Sequence, residues 1–142
     1  MNARVDAEPG AVVVPEDLQR QMIAHALAER PLEACGLIAG REEQALQFHP
    51  TRNALRSPVR YDVDPRDLLA ATLAIEGAGL ELWGIFHSHP ATEAYPSPTD
   101  VRLAHYPDAH YLICSLRRPE APVLRAFRIS GGAIREISIR PA

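Results

Sequence analysis

The chain has 142 residues, 46% of them hydrophobic, and a formal net charge of −3. That length fits one domain with a real core, and the charge balance offers no basic field for holding nucleic acid. With two cysteines, Cys35 and Cys114, and no apolar run of the ~18 residues a bilayer requires, neither a disulfide framework nor a membrane protein is expected.

Residues 1–10 carry acids and no apolar stretch, unlike a signal peptide, and read as a flexible tail. The remainder, residues 11–142, reads as the folded domain. Ala11–Val14 predicts a short strand. Pro15-Glu16-Asp17 starts a helix, because proline fits the first turn and acids suit its N-terminus. Leu18, Met22, Ile23, Ala26 and Leu27 recur at helical spacing until Pro31 ends it. Ala34–Ala39 predicts a buried strand, paired with Ala45–His49 as a hairpin across Arg41–Gln44. Thr51–Asp64 is irregular. Pro65 opens a second helix with Leu68, Leu69, Thr72, Leu73 and Ile75 as its inner face, stopped by Gly77 and Gly79. Glu81–His87 is a strand, with Trp83 and Phe86 as core residues, and Ser88–Pro96 a long loop. Ser97-Pro98-Thr99-Asp100 carries the signals of a helix start: a capping serine, a proline first, and an aspartate three residues after the cap. Three strands follow, His110–Leu116, Val123–Ile129 and Ala133–Ile139. The order gives an α/β or α+β chain with a mixed sheet.

The chemistry concentrates in Gly84–Asp100. Side chains alternate along a strand, so His87 and His89 face the same way and two imidazoles can share one ion. Asp100, on the first turn of the next helix, supplies a third ligand. Two nitrogens and an oxygen suit Zn²⁺ and leave a fourth position open, which separates a catalytic from a structural site. Plainer readings stand beside this one. Ser97 serves as a helix cap, and Asp100 favours the helix dipole. His87-x-His89-x-x-x-Glu93 also imitates the metal motif of cupin barrels, although two clear helices argue against an all-β fold. Cys35 and Cys114 read as buried apolar thiols in a reducing compartment, which places the protein in the cytoplasm. His25, His49, His105 and His110 show no partner spacing.

His87-Ser88-His89-Pro90, followed by Ser97-x-x-Asp100, is similar to the signature of the JAMM (MPN-plus) metalloproteases. The segment Pro31–Gly40, with Glu33 ahead of an apolar strand, resembles the upstream glutamate segment of the prokaryotic members. Asn53 and Arg60-Tyr61-Asp62-Val63-Asp64-Pro65 also look like family features. The resemblance spans about residues 11–139. It implies a cytidine-deaminase-like mixed sheet flanked by helices, one zinc per chain on His87, His89 and Asp100, Glu33 as general base and Ser97 as oxyanion donor. Ser88 would point away from the metal.

The implied reaction is hydrolysis of the peptide or isopeptide bond after the C-terminal Gly-Gly of a ubiquitin-like or sulfur-carrier protein, in some relatives with release of cysteine. A stand-alone enzyme is expected, because the segments that carry long ubiquitin-gripping insertions in large eukaryotic members are short here. A homodimer is left open. Two further readings are a non-catalytic interaction module, and a metallohydrolase of a small amide or peptide.

Overall fold

The computed structural model describes residues 11–142, so the expected tail over residues 1–10 lies outside the described residues. In chain order its elements are β1 (Val12–Val13), α1 (Glu16–Glu29), β2 (Cys35–Arg41), β3 (Gln44–Thr51), α2 (Pro65–Gly77), β4 (Glu81–His89), α3 (Pro98–Arg102), β5 (His110–Ser115), β6 (Val123–Ser130), β7 (Ala133–Ile137) and β8 (Ile139–Arg140). The helix starts follow from local chemistry. Pro15 sits at the cap of α1 ahead of Glu16 and Asp17. Asp64 caps α2, its carboxylate accepting from the backbone N–H of Arg66 and Asp67.

The eight strands of the described residues share one mixed sheet, in the order β7-β6-β5-β4-β2-β3-β1-β8. The central β4 runs antiparallel to β2 and parallel to β5. The expected last strand, Ala133–Ile139, is broken at Ser138. β7 pairs with β6 at one edge and β8 with β1 at the other. One residue cannot bridge a flat sheet of this width, so the sheet curls until its edges approach. The Ser138 carbonyl accepts from Val12 N–H at that seam, which hides edges that would otherwise present unpaired backbone.

Alternation along the strands sorts the core into two layers. On one face Ile38, Phe86, Leu112 and Cys114 pack against Leu18, Met22 and Ala26 of α1, with Trp83 in the same cluster. On the other, Leu37, Ile85, Tyr111 and Ile113 meet Ala71 and Ile75 of α2. The inner face of α2 is therefore Leu68, Ala71 and Ile75. Leu69 and Leu73, expected inside, are 61% and 59% exposed. Leu69 stands one residue-step, about 100°, from Leu68, and Leu73 lies roughly on the opposite side from the buried stripe, so α2 covers the sheet with one narrow side only.

The β2–β3 hairpin turns at Glu42 and Glu43, and Glu42 adopts a left-handed φ of 56°. The indole of Trp83 donates to the Glu42 carbonyl at 2.8 Å and holds the turn down. Gly36 on β2 has no room for a side chain: a Cβ there would lie 2.6 Å from the Phe48 ring and 2.8 Å from the His49 carbonyl oxygen.

Candidate metal centre

β4 continues two residues beyond the expected His87, pairing His89 with Ser115 of β5, so the loop begins at Pro90. Both histidines thus lie in regular strand and project to one side. The following loop returns the chain to the end of β4 through α3. Ser97 and Asp100 form a reciprocal cap there: Asp100 N–H donates to Ser97 Oγ, and Ser97 N–H donates to Asp100 Oδ2. The cap aims the Asp100 carboxylate back at β4.

His87 Nε2 and His89 Nε2 lie 3.2 Å apart, and Asp100 Oδ2 is 3.1 Å from the first and 3.0 Å from the second. Tetrahedral zinc with bonds of about 2.0–2.1 Å sets its ligand atoms roughly 3.3–3.4 Å apart, so the spacing suits that ion closely. Protonation agrees. His89 Nδ1–H donates to the Glu93 carbonyl at 2.8 Å, which leaves Nε2 bare in the neutral ring. A bare nitrogen facing a carboxylate oxygen at 3.0 Å is relieved by a metal cation between them or by a proton on the ring. The three residues are a candidate metal-holding group among the described residues.

Burial alone would raise the Asp100 carboxyl, but the two imidazoles hold it well below the usual carboxylate range. Burial pushes His87 down against the pull of Asp100. Burial also opposes charge on His89, yet Asp100 and the Glu93 carbonyl outweigh it and the pKa is raised. Tyr61 stacks on His87 with ring centroids 4.6 Å apart and fixes the plane of that imidazole.

Glu33 precedes β2 and is 3% exposed, with Oε1 buried and without a hydrogen-bond partner. Burial pushes its carboxyl up to about 8; positive charge on His89 lowers it and Asp100 raises it. The sequence separates Glu33 from the histidines by more than fifty residues, and the sheet closes that distance. Cys35 pairs with His87 across β2 and β4. Asn53, 5% exposed, anchors the same segment: its Nδ2 donates to the carbonyls of Glu33 at 3.1 Å and Arg60 at 2.9 Å. Its Oδ1 accepts from the N–H groups of Leu55 and Asp62. The irregular stretch from 51 to 64 is thus wrapped around one amide.

Ser88 is fully buried, and its Oγ accepts from Ala34 N–H, away from the histidine cluster. Glu93 contributes only its carbonyl to the site; its side chain is exposed, which removes the cupin-like reading. Cys35 and Cys114 are buried free thiols, pushed up by burial to about 11 and about 12, and inert as nucleophiles. His25 donates toward the backbone carbonyls of Cys35 and Thr51, and His110 packs against Trp83 with the rings tilted by 45°. Neither joins the cluster. Asn53 and Tyr61 are the residues whose parts the sequence did not disclose. Each acts through a partner far along the chain, and only the family resemblance of Asn53 and Arg60–Pro65 singled them out.

The family model for prokaryotic homologs of the JAB domain, Prok-JAB, matches residues 15–130. The chain belongs to this family. Among curated relatives, the CysO-cysteine peptidase of Mycobacterium tuberculosis is 46% identical over 127 residues, covering 88% of this chain and 87% of its own. The desampylase of Haloferax volcanii is 34% identical over 130 residues, covering 87% and 91%. A solution structure of a Desulfitobacterium hafniense protein superposes with a TM-score of 0.83 at 38% identity, covering 91% of both chains. The mixed sheet flanked by helices is the JAMM/MPN-type fold. No helix among the described residues is long and apolar enough to cross a membrane.

Proposed function

We propose that residues 11–142 form a zinc peptidase domain that hydrolyses the bond after the C-terminal Gly-Gly of a ubiquitin-like or sulfur-carrier protein. The observation that carries this reading is the triangle of His87 Nε2, His89 Nε2 and Asp100 Oδ2, with edges of 3.0–3.2 Å, beside a buried carboxylate with a free oxygen. The named substrates of the relatives point to the carrier: a CysO–cysteine conjugate in the mycobacterial protein and, in Thermus thermophilus, TtuB–protein conjugates.

His87, His89 and Asp100 hold the ion. Zinc bound there supplies Lewis acidity toward the scissile carbonyl and acidifies water. Glu33 accepts the proton of the attacking water at Oε1 and returns it to the leaving nitrogen as the bond breaks. A carboxyl displaced upward toward neutrality is matched to both halves of that transfer. Ser97 Oγ already accepts from Asp100 N–H, so its own proton is free to be donated to the developing oxyanion. The substrate is a protein, with no nucleic acid and no membrane in the reaction. Two buried free thiols fit a reducing compartment, the cytoplasm.

The test is incubation of the zinc-loaded protein with carriers extended past Gly-Gly, read by intact mass. Release of the extension, abolished by chelation and restored by zinc, is expected. Intact conjugate at full zinc occupancy would overturn the reading.

A further inference from the structure

Beside the ligand cluster lies a cavity of about 360 Å³. Three parts of the chain enclose it: the loop around Leu55 to Val63, α3 with the turn after it, and the sheet face at Leu37, Ile85 and Tyr111. Asp100 belongs to its wall, as does Tyr61, whose ring stacks on His87. Anything in the cavity therefore adjoins the histidine–aspartate cluster. The walls are mostly apolar, with one arginine among them, Arg60.

Arg60 is fixed where it matters and free where it matters. Its carbonyl is held by the Asn53 amide that also holds the Glu33 carbonyl, so one side chain ties together the backbones that carry the candidate base and this cation. Its guanidinium has no ion-pair partner among the described residues. Arg52 pairs with Asp64 and Asp67, and Arg125 with Glu136. Asp62 lines the same cavity but lies beyond ion-pair distance of Arg60, and Asp100 is occupied by the imidazoles and Ser97 N–H. Arg60 is exposed at the wall of this mostly apolar cleft, and a planar cation there suits a carboxylate through two parallel N–H···O bonds.

We propose that this cavity receives the residue released by hydrolysis and that Arg60 binds its free α-carboxylate. The inference rests on the peptidase reading and narrows its substrate class. A residue joined to the carrier through its α-amine carries its carboxylate one carbon from the scissile nitrogen. A lysine joined through its side-chain amine carries none within reach, and inside a target protein that carboxyl is itself a peptide bond. Arg60 thus selects linear extensions of a single residue over isopeptide conjugates.

The test compares two forms of one conjugate, CysO carrying a C-terminal cysteine as the free acid or as the carboxamide. Zinc-loaded wild type and Arg60→Ala are assayed on both by intact mass. Wild type is expected to prefer the acid by about 10- to 100-fold in kcat/KM, the range for a charge-assisted hydrogen-bonded pair. Arg60→Ala is expected to lose that preference while melting as wild type does, since the side chain is exposed and unpaired. Equal rates in wild type, or a preference surviving in Arg60→Ala, would overturn the role of Arg60 and leave the peptidase reading intact. Failure to cut either form would overturn both.

Discussion

Ser88 holds Ala34 by both of its backbone groups. Ala34 N–H donates to Ser88 Oγ at 2.8 Å, and Ser88 N–H donates to the Ala34 carbonyl at 3.0 Å. Glu33 is the residue before Ala34, and His87 and His89 flank Ser88. This pair of bonds therefore sets the register between the proposed base and the proposed metal ligands. Ser88→Ala strands a buried N–H and should cost about 1–3 kcal/mol of stability. It should also lower kcat with bound zinc unchanged, because only the base moves. Chemical denaturation, metal content and turnover on one preparation check this. Full turnover with lost stability would assign Ser88 to the scaffold alone.

Asn53 does the same for the loop opposite. Its five side-chain bonds tie Glu33, Ser57 and Arg60 to Leu55 and Asp62. Asn53→Ala should destabilise by about 2–3 kcal/mol, the cost of several buried groups losing partners. Asn53→Asp keeps the two bonds that Oδ1 accepts and loses the three donated ones. Its second carboxylate oxygen would face those carbonyls, so at neutral pH its melting temperature should fall at least as far as that of Asn53→Ala.

At the β2–β3 turn, Glu42 adopts a left-handed φ of 56° and is exposed. A non-glycine residue pays about 1–2 kcal/mol there, and glycine returns part of that through its freer unfolded chain. Glu42→Gly should therefore stabilise by about 0.5–1 kcal/mol and leave cleavage unchanged. Equilibrium unfolding measures it; a loss of stability would mean the turn is not strained.

His110 gives the fold a pH dependence of its own. It is 7% exposed, its Nδ1 lacks a partner, and burial together with Arg128 and Arg135 pushes its pKa down to about 4. The unfolded chain takes up this proton near pH 6.5, before the folded one does. The neutral ring's contribution is therefore complete above pH 6.5 and is lost as pH falls toward 4, by at most about 3 kcal/mol. His110→Phe, packed against Trp83 in the same place, should flatten the stability profile between pH 6.5 and 4. An identical slope in wild type and variant would refute this.

Local signals were readable where the cause was local. Pro15, Pro65 and the Ser97-Pro98 pair start helices because cap and first-turn chemistry involve neighbours in sequence. The spacing of His87 and His89 was legible because strand alternation needs only two residues of context. The break at Ser138 was not, since it depends on the curl of the whole sheet bringing β8 to β1. The inner face of α2 was misplaced because leucines stand on both sides of it and only contact with the sheet decides between them. Glu33 came from resemblance. Its burial, and its pinning by Ser88 and Asn53, depend on contacts twenty or more residues away.

The central claim is that Glu33 moves the proton in a zinc-dependent cleavage. The most direct measurement is zinc stoichiometry and turnover of Glu33→Gln beside wild type, on a carrier conjugate extended past Gly-Gly. The substitution preserves shape and burial and removes only the basic oxygen. The account predicts zinc bound as in wild type and turnover reduced by about 10²–10⁴-fold. Turnover within a few-fold of wild type at equal zinc content would contradict it.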